Sequence, residues 1–105
     1  MKKLSHTYYV YVIEVRSCRG RSCRTVYYVG QSGKTPEERL IEHQRGHRYC
    51  RGCTERHYVR GDRMRLRHEL FARYNPMTER DRAEAVEKWL ASRLRKRGYE
   101  VVGGH

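Results

Sequence analysis

The segment Thr7-Tyr8-Tyr9-Val10-Tyr11-Val12-Ile13-Glu14-Val15 restricts the architecture of this chain more than any other. Its β-branched and aromatic residues favour an extended strand. They run on without the polar alternation that a strand with one wet face would show. A second strand is expected over 25–29, and the Gly-, Ser- and Cys-bearing connector 16–24 makes the pair a long-looped hairpin. Gln31-Ser32-Gly33-Lys34 is a turn. Thr35-Pro36-Glu37-Glu38 then announces a helix, with Thr35 as N-cap, Pro36 in the first turn and Glu38 closing a capping box. This helix should run to about Arg45 and stop at Gly46.

Residues 47–63 are polar and carry no periodicity, so no regular structure is expected there. A third strand is expected within 65–74, ended by Asn75-Pro76. Thr78-Glu79-Arg80-Asp81 gives a second capping signal, for a long helix that stops before Gly98, and 99–102 reads as a short last strand. The order is strand, strand, helix, strand, helix, short strand. This predicts an α+β fold with a small, mainly antiparallel three-stranded sheet and flanking helices. A chain of 105 residues, 37% of them apolar, supports one modest core, with tyrosines carrying much of the packing.

No apolar run approaches the roughly 18 residues of a membrane span, and the N-terminal segment lacks the apolar stretch of a secretory signal. A cytoplasmic protein with no membrane partner is the expectation. The 24 Lys and Arg against 12 Asp and Glu leave a net charge of +12, spread along the chain. A domain this basic attracts polyanions by releasing their counterions, and nucleic acid is the commonest such partner. Expected contacts are Arg16, Arg19, Arg21, Lys34, Arg48 and Arg51 in the loops. An arginine-rich composition by itself would give the same count.

Helix periodicity locates the chemistry. Ala83, Val86, Leu90 and Leu94 form the apolar stripe of the long helix, and Glu87 falls inside it. A carboxylate on a core-facing stripe needs a cation, a metal or several donors, and a salt bridge to an arginine would satisfy it as well as a metal would. Glu84, four residues before Lys88, is an ordinary solvated pair. Arg39 and His43 share a face of the first helix, where a guanidinium beside an imidazole can grip a phosphate, although such pairs also occur on solvated faces. Tyr11 and Tyr28 stand on paired strands and can point to one side; phenols so placed are usually core with a satisfied hydroxyl.

Taken in order, Tyr9-Val10-Tyr11 and Tyr28-Val29-Gly30 resemble the paired strand motifs of the GIY-YIG endonucleases, with Tyr9 where the family name has its first Gly. The run from Gly30 to Arg39 leads into Leu40-Ile41-Glu42-His43, similar to that family's arginine-bearing helix, and Glu87 falls where the family places its metal-binding glutamate. Glu69-Leu70-Phe71, Asn75-Pro76-Met77, Glu87-Lys88-Trp89-Leu90-Ala91, Gly98-Tyr99 and Gly103-Gly104-His105 resemble a bacterial stand-alone subgroup. The likeness covers nearly the whole chain except the cysteine-bearing loops.

The resemblance implies a divalent-metal-dependent endonuclease that hydrolyses DNA phosphodiester bonds. Mg²⁺ would be held by Glu87 and the scissile phosphate, Arg39 would stabilise the transition state, and Tyr11 would take a proton from the attacking water. Tyr28 would help to position that water, and His43 would bond a tyrosine or the phosphate. A nucleic-acid-binding module on the same fold, cutting poorly or not at all, is the alternative. RNA is not excluded as the ligand, and a protein partner can supply specificity, because no recognition domain is appended.

Cys18 and Cys23 lie in the hairpin connector, and Cys50 and Cys53 form a C-x-x-C after the first helix. Four thiols converging at the hairpin tip would suit a structural Zn²⁺, with His47 and His57 as reserve ligands. Disulfides and free thiols are the alternatives.

Overall fold

The computed structural model of the chain describes residues 6–45 and 63–103. The apolar opening segment is the centre of the fold. β1 (Tyr9–Arg19) pairs with β2 (Ser22–Ser32) on one side and with β3 (Arg63–Leu66) on the other, both antiparallel. Val10, Tyr11, Val12 and Ile13 are each 0% exposed. Successive side chains on a strand point to opposite faces, so four consecutive buried residues mean that both faces are covered.

The expected long hairpin loop is corrected. The strands continue through the Ser, Cys and Arg residues to a two-residue turn at Gly20 and Arg21, with Cys18 opposite Cys23 and Arg19 opposite Ser22. Gly20 has φ +60 and no described non-glycine residue has a positive φ, the pattern of a type II′ turn with glycine at its first central position. Backbone pairing and a cross-strand bond between Cys18 and Cys23 carry this outer ribbon, whose Arg16, Arg21 and Arg24 are exposed, so apolar content could not reveal it.

The fold is α+β, but its sheet has four strands and is mixed, in the order β3-β1-β2-β4. β4 (Val101–Gly103), expected only as a short terminal strand, pairs in parallel with Tyr27–Val29 of β2. Gly103 has φ +79, and a Cβ there would lie 2.6 Å from the Val29 carbonyl oxygen, so the sheet closes only around a glycine.

The third strand is also corrected, being shorter and earlier than expected. After Leu66 the chain turns into α2 (His68–Phe71) and a 3₁₀ turn (Ala72–Tyr74). Leu66, Leu70 and Tyr74 recur every fourth residue, a helical spacing that explains the poor alternation of this segment. Phe71 anchors it at 1% exposure. The chain then returns along β1 through a side chain that imitates a strand. Val10 N–H donates to Asn75 Oδ1 at 2.9 Å, and Asn75 Nδ2 donates to the Val10 carbonyl at 2.8 Å. Tyr8 and Met77 exchange backbone bonds next to it, and the Asn75–Pro76 peptide is cis. The β1 edge beyond β3 is thereby satisfied.

α1 (Pro36–Arg45) begins with the expected capping box. Glu38 N–H donates to Thr35 Oγ1, and Thr35 N–H donates to Glu38 Oε1. α3 (Arg80–Lys96) departs from expectation at its start: Glu79 is the N-cap and makes no side-chain cap bond, so Thr78 does not cap it. Its core face is Ala83, Leu90, Ala91 and Leu94, with Val86 half-buried beside them. No helix among the described residues is long and apolar enough to cross a membrane.

Candidate active site

Tyr11 sits opposite Gly30 in the β1–β2 register. The missing side chain makes room for the phenol: a Cβ on Gly30 would stand 2.6 Å from the Tyr11 hydroxyl and 3.0 Å from the Tyr28 ring. Tyr28 pairs with Ile13, two residues along from Tyr11, and therefore shares its face of the sheet. The two rings lie 6.1 Å apart.

α1 crosses this face and lowers two side chains onto it. His43 is fully buried, with its ring 4.7 Å from that of Tyr28 and its Nε2 3.4 Å from the Tyr11 hydroxyl. Arg39, one turn earlier, donates from Nε to the Tyr11 hydroxyl at 3.0 Å. The i, i+4 spacing of Arg39 and His43 thus converges on one phenol oxygen. With that oxygen accepting from Arg39, the phenol can donate its own proton to His43 Nε2 when the imidazole carries its proton on Nδ1. From α3, half-buried Glu87 lies close enough for its charge to disfavour ionisation of both Tyr11 and Tyr28. Tyr11, Tyr28, Arg39, His43 and Glu87 are therefore one cluster drawn from four elements.

Burial dominates the electrostatics. Desolvation raises the Tyr11 pKa far above the ordinary phenol value, with Tyr28 adding to it and Arg39 opposing it. Tyr28 is raised for the same first reason. Desolvation, helped by the Arg39 charge, lowers His43 to about 4. Burial opposes the charge of Arg39, but Tyr11 and Glu42 more than offset it and hold the guanidinium pKa above its usual value. Around Tyr11 the cluster at neutral pH therefore presents two neutral phenols, a neutral imidazole and a fixed guanidinium.

Glu42 is a further member of the cluster, one not expected from the sequence. It accepts from Arg39 Nη1 and from Lys34 Nζ, which hold its pKa below the usual carboxylate range, Lys34 most strongly. Its spacing, i+3 from Arg39, was the signal. Lys34, expected as a nucleic-acid contact, is thereby tied to the rim of the cluster.

Arg16 and Arg21 lie at the other end of the sheet, on the exposed ribbon, and Arg19 is the last residue of β1. At roughly 3.3 Å per residue, Cys18 is about 23 Å along β1 from Tyr11. Cys18 and Cys23, expected with Cys50 and Cys53 as zinc ligands, are bonded to each other. A sulfur in a disulfide has no thiolate charge to offer a cation, so this pair is corrected from metal ligand to cross-strand staple. Cys50, Cys53, Arg48, Arg51, His47 and His57 lie outside the described residues. In comparisons with protein-family models, with curated proteins and with solved structures, nothing matched the chain.

Proposed function

We propose that the chain is a metal-dependent endonuclease of the GIY-YIG kind, hydrolysing phosphodiester bonds of DNA. The observation that carries the reading is the convergence of Arg39 and His43 on the Tyr11 hydroxyl, with Glu87 within electrostatic reach of both phenols. A net charge of +12 supports a polyanionic substrate.

The donor set fits magnesium. Glu42 is held by Arg39 and Lys34 at the rim, and Glu87, half-buried on α3 within electrostatic reach of both phenols, is the carboxylate this reading assigns to the cation. Among the described residues no three His, Cys, Asp or Glu side chains converge as a metal group. One carboxylate suits an ion that keeps most of its water and takes a phosphate oxygen as a further ligand, which is the habit of Mg²⁺. Bound there, the ion would polarise the phosphoryl group and make a bound water more acidic.

The residues of the chain do the rest. Arg39 places a permanent cation where negative charge grows on the phosphorus oxygens. Tyr11, held as a neutral phenol, accepts a proton from the attacking water only as its own passes to His43 Nε2. An arriving phosphate anion favours this transfer, because a nearby negative charge moves the His43 pKa back towards its ordinary value. Tyr28 packs against His43 and keeps its ring in line.

A second reading, a binding module without turnover, is favoured by one observation. Tyr11 is 0% exposed, with its hydroxyl already engaged by Arg39 and His43, so water must gain entry before any proton moves. A panel of labelled duplex, branched and single-stranded DNAs, incubated with Mg²⁺ or with EDTA, separates the two. Cleavage in Mg²⁺ alone supports the nuclease; binding with no cleavage of any DNA supports the module.

A further inference from the structure

We propose that the cleft between α2 and α3 around Trp89 is a second nucleic-acid site, one that takes an unpaired base from a single-stranded segment. It goes beyond the proposed cutting centre. Glu87 and Trp89 are two residues apart on α3, which turns them roughly 200° from each other around the helix. One faces the tyrosines, the other the α2 flank.

Trp89 is 47% exposed, although it is the largest apolar side chain of the chain. It is also held in place. The Tyr74 ring meets it edge to face at 5.7 Å, and the Arg93 guanidinium lies 5.4 Å from its centroid. Beside it opens a cleft of about 250 Å³ that Arg73, Tyr74, Arg93 and Arg97 also line. A smaller hollow of about 130 Å³ on its other flank adds Lys96.

The charge around this aromatic pair is one-sided. Glu69 is the carboxylate lining the cleft, and it is engaged by Arg67. Among the described residues, Arg73, Arg93 and Arg97 make no ion pair with a carboxylate. Single exposed apolar residues are common and need no function. A fixed indole and phenol ringed by three such arginines and a lysine is a different object. It offers a stacking surface to any base and cations to the phosphates on either side, the two features by which proteins hold single strands without reading sequence. An apolar protein partner would gain from the indole but would bury the arginines unpaired.

The chain has one tryptophan, so its emission reports this cleft alone. The test titrates the full-length protein in EDTA, where no turnover confuses the signal, with an oligothymidylate of about ten nucleotides. A second titration uses an abasic oligonucleotide of equal length. Stacking predicts strong quenching by the first, little by the second, and about tenfold weaker binding of the first to Trp89→Ala. Trp89→Phe should recover part of that loss, and circular dichroism checks that both variants keep the native fold. Equal quenching by the two oligonucleotides overturns the proposal, as does an unchanged affinity in Trp89→Ala. So does an emission that shifts with protein concentration alone, which would assign the cleft to a second copy of the chain. Because cleavage is not measured, failure here leaves the cutting centre untouched.

Discussion

Arg39 donates from Nε to the Tyr11 hydroxyl at 3.0 Å, joining the first helix to the central strand through a fully buried phenol. The contact serves two ends. It satisfies a hydroxyl that burial would otherwise penalise, and in the proposed reaction it sets a planar cation beside the reacting phosphate. Arg39→Ala should lower kcat by about 10²- to 10³-fold, the usual loss when a donor to a developing oxyanion is removed. DNA affinity should fall by less than about tenfold, because most of the binding charge lies elsewhere. Single-turnover cleavage with a separate binding titration checks this; a loss confined to binding would make Arg39 a grip and not a catalyst.

Gly30 is fixed by the same phenol. An alanine there would press its Cβ to 2.6 Å from the Tyr11 hydroxyl, which cannot swing aside while Arg39 and His43 hold it. Gly30→Ala should cost about 1–3 kcal/mol of stability, as overpacked core positions do. Urea denaturation reads this directly, and a midpoint equal to the wild type would contradict the packing.

Stability should also depend on pH through His43. Its folded pKa is lowered to about 4 from an ordinary value of 6.5, so the unfolded chain binds the proton first. The stabilisation is complete above about pH 6.5 and is lost as pH falls towards 4, amounting to about 2 kcal/mol between pH 7.5 and pH 5. His43→Gln should be less stable at neutral pH, with the slope across that window much reduced. An unchanged slope in the variant would place the titration elsewhere.

Much of this was legible because it is local. The Thr35–Glu38 capping box, the unbroken apolar run at Val10–Ile13 and the Ala83, Leu90 and Leu94 stripe each follow from the spacing of neighbouring residues. The convergence of Arg39 and His43 was half visible, since i, i+4 spacing gives a shared face but not what that face meets. What escaped depends on distant parts of the chain or on backbone pairing that no apolar pattern accompanies. The ribbon from Arg16 to Arg24 buries little, so no hydrophobic pattern marks it as strand. The parallel pairing of Val101–Gly103 with Tyr27–Val29 joins segments that no local pattern connects. The cap on α3 is missing although the sequence offers a capping signal, because the helix starts at Arg80 and makes Glu79 its N-cap.

The Cys18–Cys23 bond makes a prediction in chemistry. Alkylation without reduction should leave both residues unmodified in one linked peptide, and after reduction both should react. The loop they close is short, so the bond should add no more than about 2 kcal/mol. One equivalent of zinc in chelator-free protein, with these two cysteines reactive only after the metal is removed, would restore the thiolate site in place of the disulfide.

The central claim rests on Glu87, and Glu87→Gln tests it most directly because the amide keeps the shape and removes the charge. Cleavage of labelled DNA by wild-type and variant protein in Mg²⁺ should be measured beside DNA binding in EDTA. The account predicts that the variant binds DNA about as well as the wild type, melts at a similar temperature and does not cut. A variant that cuts at the wild-type rate, or a wild-type rate unchanged by EDTA, would contradict it.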